Sequence, residues 1–380
     1  MKVVAAIDSY KGSVSSKEAG EAAKKGVLNV YKDAEVNVMT LADGGEGTVE
    51  AIVDGLNGKY EKVNVTGPLG EKLDCSYGIM ENEKLAVIEM ACAAGITLIP
   101  KEKMNPLKTT SYGVGEVIKD AAEKGCRKFI VGIGGSVTND CGVGMLQALG
   151  FSFKDENGEE IGFGGAELER VESVDVSSVY PVLKECEFEI ACDVNNPLCG
   201  EKGASAVYGP QKGATPHMVK QLDKALEHFA AVTEKYTGKN MANYSGSGAA
   251  GGMGFGFLSY LNVNLRTGIE IVLDTLGMDS VLEGADFLIT GEGRIDSQTA
   301  MGKAPAGAAK RAKKYGLKVI GVAGCTTDDA YLCNEKGIDA IFDVTDRAMT
   351  IEEAMDRENT KKNIEKTVTQ IFSLIKTLGK

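Results

Sequence analysis

A chain of 380 residues with 43% hydrophobic content exceeds what one ordinary core serves and predicts two domains. Its formal charge of −12 argues against nucleic acid and anionic membrane as partners, and makes binding of any small anion depend on local cations. Only two histidines are present, His217 and His228, both read as solvated, so carboxylates, lysines and backbone amides must carry any chemistry in place of a zinc site or a Ser-His-Asp triad. Nine cysteines without a C-x-x-C pair read as reduced thiols of a cytoplasmic protein. No apolar run is long enough to cross a bilayer, and the opening MKVVAAIDS meets Asp8 too early for a signal segment.

In chain order, Val3 to Ile7 reads as a buried strand that exits into Asp8-Ser9-Tyr10-Lys11-Gly12-Ser13 before a helix capped by Ser15 or Ser16. Val36 to Leu41 is a second strand, exiting into Asp43-Gly44-Gly45-Glu46-Gly47-Thr48. Two acids among three glycines are more than a helix cap needs. From Lys59 the pattern alternates as antiparallel strands do, and the change marks a domain boundary near residue 67.

The stretch Lys128 to Gly150 joins a β-branched strand to a glycine turn and a helix start. Gly134 and Gly135 let a ligand approach the backbone, Ser136 and Thr138 add hydroxyls, and Asn139 or Asp140 is placed to cap the helix. An open helix N-terminus there suits a phosphate or carboxylate. Phe188 to Cys192 is another strand, exiting into Asp193 and two asparagines, and Gly200 to Gly213 reads as a long glycine loop carrying Lys212. The G-x-G-x-x-G at Gly246, Gly248 and Gly251 follows a polar segment without a strand and reads as a helix-entry loop. Asp286 to Thr290 is a strand exiting into Glu292, Arg294 and Asp296, ahead of Gly302-Lys303-Ala304-Pro305, and Ile351 to Leu378 reads as one amphipathic tail helix.

Five strand exits thus carry acids in glycine or hydroxyl turns: Asp8, Asp43, Asp140, Asp193, and Glu292 with Asp296. Ligands of open α/β sheets bind at the carboxyl edge of the strands. Anion-binding amides, the cations Lys11, Arg294 and Lys303, and surplus acids are what transfer of a magnesium-bound phosphoryl group requires. Neither a G-x-x-x-x-G-K-[ST] loop nor an H-R-D or D-F-G set occurs.

The segments DSYKGS at Asp8, ADGGEGT at Ala42, GIGGSVTNDCGVGMLQALG at Gly132, ACDVNNPLCG at Ala191, YGPQKGA at Tyr208 and ITGEGRIDSQT at Ile289 resemble the bacterial glycerate kinase family over nearly the whole chain. Tyr10 and Cys141 depart from that pattern without removing a charge. The resemblance implies an α/β fold with a Rossmann-like three-layer domain (1–66 and 285–380), a second α/β domain inserted (67–284), and an active site in the interdomain cleft. It implies ATP- and Mg2+-dependent phosphorylation of D-glycerate, giving 2-phosphoglycerate or its 3-isomer, without nucleic-acid or membrane partners and with room for a homo-oligomer.

Within that expectation Lys11, Asp193, Arg294 and Asp296 are the catalytic candidates. Ser9, Ser13, Gly134, Gly135, Ser136, Thr138, Asn139 and Asp140 are the cofactor-binding candidates, and Asp43, Glu46 and Asp193 the metal candidates. A dinucleotide-dependent hydroxyacid dehydrogenase, resting on the Gly246 motif, and a non-catalytic sugar-acid sensor are the alternatives.

Overall fold

The computed structural model describes residues 1–379, which divide into two compact units. The first comprises Met1–Asp43, Glu50–Leu56 and Ile269–Lys380, the second Gly44–Val49 and Asn57–Gly268. The boundaries fall earlier than the expected 67 and 285. The strand Lys59–Thr66 pairs antiparallel with Lys72–Met80 in the second unit, and the helices Gly268–Thr275 and Met278–Leu282 place Ile269, Leu273, Met278 and Leu282 in a core of the first.

In the first unit five strands lie side by side in the order Ala340–Asp343, Lys318–Thr326, Phe287–Ile295, Lys2–Ile7, Glu35–Thr40. Every neighbouring pair is parallel. Such a sheet needs cover on both faces, and the alternation along Lys2–Ile7 supplies it. Val3, Ala5 and Ile7 enter one core with Ala19 and Ala23 of the helix Ser16–Leu28 and Ile364 and Phe372 of the helix Arg357–Thr377. Val4 and Ala6 enter another with Ala304, Ala308 and Ala312 of the helix Ala304–Lys313. This is the expected three-layer, Rossmann-like arrangement.

Ser15 caps the helix Ser16–Leu28 reciprocally with Glu18. Ser16 Oγ donates to the carbonyl of Ile7 (2.6 Å) and accepts the N–H of Leu41 (2.7 Å), fixing two strand ends against each other.

The tail is two helices rather than one. Asp356 takes an extended ψ of 131° and accepts the N–H of Asn359, ending Ile351–Met355 and starting Arg357–Thr377. A carboxylate able to cap outcompetes helix continuation there, although the apolar spacing runs straight through.

The second unit holds a six-stranded mixed sheet in the order Val263–Arg266, Glu187–Ala191, Lys128–Gly132, Leu85–Glu89, Lys72–Met80, Lys59–Thr66. The first four run parallel and the last two pair antiparallel. Phe129 and Phe188 stack across neighbouring strands with centroids 4.8 Å apart. The strand beginning at Lys128, whose domain the sequence leaves open, is therefore central to this sheet.

Three further expectations are corrected. Cys75 and Cys92 form a disulfide with Cα atoms 5.3 Å apart, because a strand and a short helix distant in sequence bring the thiols together. His228 is part-buried, with Nε2 2.7 Å from the carbonyl oxygen of Val171. The segment after Gly200 is not one long loop but contains the helix Ala204–Tyr208 and a 3-10 turn at Pro210–Lys212.

Candidate active site

In the first unit the register pairs Ile7 with Thr40 on one side and Gly291 on the other. The chain leaves the strands Lys2–Ile7 and Glu35–Thr40 toward Asp8 and Asp43, whereas Glu292 stands inside the strand Phe287–Ile295, which pairs on through Ile295 and so does not exit after Thr290 as expected. The three acids line a cavity of about 690 Å³ with Lys11, Arg294 and Lys303. Parallel strands present their carboxyl ends on one edge, so acids far apart in sequence meet without any sequence motif spanning them.

Asp8 is only 7% exposed. Burial above all, then Asp43 and Glu292, pushes its carboxyl up from 3.8 to about 7, against the N–H of Ser9 and the charge of Lys11. Burial likewise raises Glu292, with Asp296 and Asp43 adding to it, while the Thr299 hydroxyl (2.6 Å) and Lys303 oppose the rise.

Asp296 has a different task. Its Oδ1 accepts the N–H groups of Gln298 (2.9 Å) and Thr299 (3.3 Å), capping the helix Ser297–Ala300, and its Oδ2 lies 3.6 Å from Nε of Arg294. Lys11 is exposed in its turn, whose Gly12 has φ +78° and would carry a Cβ only 2.8 Å from Cε of Met355. Ser13 Oγ and Thr360 Oγ1 are 2.7 Å apart, and Ser9 lines the same cavity.

The second unit holds the other candidates. Gly132 passes so close to Gly44 that a Cβ would stand 2.5 Å from its carbonyl oxygen, and Gly135 adopts φ +71°. Gly134 and Gly135 are exposed, but Ser136, Thr138, Asn139 and Asp140 are buried.

Asp140 does not leave a helix N-terminus open for an anion. Its carboxylate accepts the N–H and hydroxyl of Ser111 (2.8 Å each) and the N–H groups of Gly142 (3.3 Å) and Gly144 (3.4 Å). The helix Val143–Ala148 accordingly starts after Gly142, not at Asn139 or Asp140. Asn139 Nδ2 donates to Ser205 Oγ at 3.0 Å, while Thr138 Oγ1 and Asn139 Oδ1 have no hydrogen-bond partner.

Lys212, 1% exposed, donates to Ser136 Oγ (2.7 Å) and to the carbonyl of Thr138 (2.6 Å). Burial pushes its ammonium down to about 7, with Asp140 acting the other way. Asp193 and Glu46 are exposed, and Asp193 Oδ1 accepts the N–H of Gly268 at 3.0 Å.

The structure thus brings Ser9, Lys11, Ser13, Asp43, Arg294 and Asp296 to one cavity of the first unit. Glu46, Gly134, Gly135, Ser136, Thr138, Asn139, Asp140 and Asp193 belong to the second unit. Asp8, Glu292 and Lys303, outside the catalytic, cofactor and metal candidates above, line the same cavity. Lys212 carries the signal of its glycine-rich segment, whereas Glu89 carries none. Glu89 accepts the N–H of Val49 at 3.0 Å, and further bonds from Gly47 and Thr48 bring the turn after Asp43 under the same carboxylate.

The dehydrogenase alternative loses its motif here. The glycines from Gly246 follow no strand, and Gly251 packs so tightly that a Cβ would stand 2.1 Å from the carbonyl oxygen of Thr138. Gly251 serves close packing of its turn against the Thr138–Asn139 segment.

A parallel sheet edge with clustered acids and cations around a cavity offers the charge stabilisation that phosphoryl transfer to a small molecule uses. The glycerate kinase family model matches residues 3–376, and the chain belongs to that family.

It is 52% identical over 344 residues to a glycerate kinase of Haemophilus influenzae, covering 90% of this chain and 91% of that one. It is 48% identical over 354 residues to glycerate 2-kinase of Escherichia coli, covering 93% of each. The fold matches a crystal structure from Salmonella typhimurium LT2, provisionally named glycerate kinase 2, with a TM-score of 0.92 and 45% identity over 99% of this chain and 98% of that one. Family membership makes the protein an ATP-using kinase with a small-molecule substrate. Among the described residues no helix is long and apolar enough to cross a membrane.

Proposed function

We propose that this kinase transfers the γ-phosphoryl of ATP to the 2-hydroxyl of D-glycerate, releasing ADP and 2-phosphoglycerate. The observation that carries the reading is the convergence of Asp8, Asp43 and Glu292 with Lys11, Arg294 and Lys303 on one cavity. The name of the Escherichia coli relative, glycerate 2-kinase, supports the 2-position.

Phosphoryl transfer asks for positioning and charge stabilisation more than covalent chemistry. Lys11, with Ser9 and Ser13 in its turn, meets phosphate oxygens, and Arg294 meets the glycerate carboxylate or the transferring group. Asp296 braces Arg294 while capping the helix behind it, a positioning role. The exposed Gly134–Gly135 turn stays a candidate phosphate cradle.

Asp8 joins Asp193 as a candidate proton acceptor for the attacking hydroxyl. A carboxyl held near 7 is matched to taking a proton at neutral pH. No group of three His, Cys, Asp or Glu side chains is arranged to hold a metal among the described residues. That arrangement is not what magnesium demands: it takes one or two carboxylates together with substrate phosphates and water. Asp43, coupled to two other carboxylates, fits that role best, and Glu46 and Asp193 remain the other metal candidates. A magnesium held there would supply charge neutralisation for the phosphates.

The experiment is phosphorus NMR of the product formed from D-glycerate and ATP with magnesium. The reading expects 2-phosphoglycerate. Only 3-phosphoglycerate would overturn the position, and no phosphorylated glycerate would overturn the acceptor.

A further inference from the structure

Beside its acids and cations, the first unit's cavity is lined by the apolar side chains of Val344, Ile351, Ala354 and Met355, contributed by the end of the strand Ala340–Asp343 and by the short helix Ile351–Met355. This helix exists because Asp356 interrupts the tail.

Asn363, from the first turns of the helix Arg357–Thr377, also lines the cavity. It is 8% exposed, yet its side-chain amide makes no hydrogen bond within the described residues. Here it faces a cavity whose neighbouring wall is apolar.

Size argues against glycerate as the only occupant. About 690 Å³ is a volume that holds a drug-sized ligand, whereas a three-carbon acid fills a small fraction of it and offers nothing to the apolar wall. A nucleotide matches both kinds of lining. Its phosphates suit Lys11 and Lys303, and a flat heteroaromatic base suits the aliphatic side chains. An asparagine amide pairs with adenine through one donor and one acceptor on the same edge.

We propose that the apolar lining of this cavity is the base subsite for the adenine nucleotide, with Asn363 reading the base edge and Ile351, Ala354 and Met355 forming the wall beneath the ring. The assignment rests on ATP as phosphoryl donor and extends it to residues outside every site expectation drawn from the sequence. It makes Asn363 a specificity-determining residue.

The test is calorimetric titration of the intact protein with ADP and, separately, with pyrophosphate, for wild type, Asn363→Leu and Ala354→Trp. Leucine keeps the volume and removes the amide, and tryptophan fills the subsite. The expected result is ADP binding weakened about tenfold or more by each substitution, pyrophosphate binding within twofold of wild type, and a reduced preference for ATP over GTP in Asn363→Leu. ADP affinity within twofold of wild type in both variants would overturn the proposal.

Photolabelling of the wild-type protein with 2-azido-ADP answers the same question if a variant fails to fold. Label on peptides spanning 344–363 supports the subsite, and label confined elsewhere rejects it. Neither readout needs glycerate, so ADP bound here by a protein that does not phosphorylate glycerate would sink the acceptor reading and leave the subsite standing.

Discussion

Replacing Asp8 by asparagine should make the protein more stable at pH 8 while disabling it. Asp8 is buried beside Asp43 and Glu292, and its carboxyl is pushed from 3.8 to about 7. An acid whose pKa is higher in the fold than in the unfolded chain holds its proton more tightly in the fold. Its contribution to stability is complete below about pH 3.8 and is lost as pH rises through about 7.

The rise corresponds to at most about 4 kcal/mol, a ceiling that relaxation around a buried charge lowers. Asparagine keeps the shape and can still accept the Ser9 N–H that Asp8 Oδ1 takes at 2.6 Å, but it never ionises. Thermal melts of both proteins from pH 4 to pH 8, with EDTA present so that no cation neutralises the acids, should therefore diverge. The variant gains on wild type up to about pH 7 and levels off up to about 5 °C above it. Turnover of the same variant with ATP, magnesium and D-glycerate should fall roughly 10²–10⁴-fold. A Tm difference that does not change with pH, or a less stable variant at pH 8, would refute the view of Asp8 as a carboxyl strained by its neighbours.

Lys11→Ala should lower turnover about 10²-fold or more by removing charge from the transferring group. It should barely move Tm, since Lys11 is exposed; wild-type turnover would assign Lys11 to solvent. Asp193→Asn separates two roles in steady-state kinetics. Loss of a proton acceptor cuts turnover roughly 10²–10⁴-fold with glycerate KM intact, whereas loss of a metal ligand raises the magnesium requirement and is partly rescued by excess magnesium. Lys212, held down to about 7 from 10.5 by burial, contributes stability that is complete above its unfolded pKa and is lost as pH falls through about 7. The Tm of Lys212→Met relative to wild type should therefore climb as pH is lowered from 9 to 6, and a difference independent of pH would mean that the amine is charged throughout.

The strands, their order along the chain and the class of chemistry were legible because buried parallel strands announce themselves as β-branched runs and their exits as glycine turns with acids. What sequence could not supply was which exits meet. Asp8, Asp43 and Glu292 are joined by the pairing of Ile7 with both Thr40 and Gly291, a long-range register that no local pattern encodes.

Asp140 shows the opposite limit. Its turn has every mark of an anion site, yet the protein's own carboxylate occupies the N–H groups that an anion would take. Lys212 lies in a glycine-rich segment that reads as a long loop, and only the tertiary fold reveals that Ser136 and Thr138 take up its ammonium hydrogens. The tail helix was read whole because apolar spacing continues through Asp356, and periodicity is blind to a capping side chain that breaks the backbone.

The most direct test of the account is ADP release by the purified protein, followed through a coupled assay with ATP, magnesium and D-glycerate, each omitted in turn. The account predicts ADP formation only when all three are present, with no change in nicotinamide absorbance when a dinucleotide and a hydroxyacid are supplied instead. ADP release that does not depend on D-glycerate, or hydride transfer in its place, would contradict it.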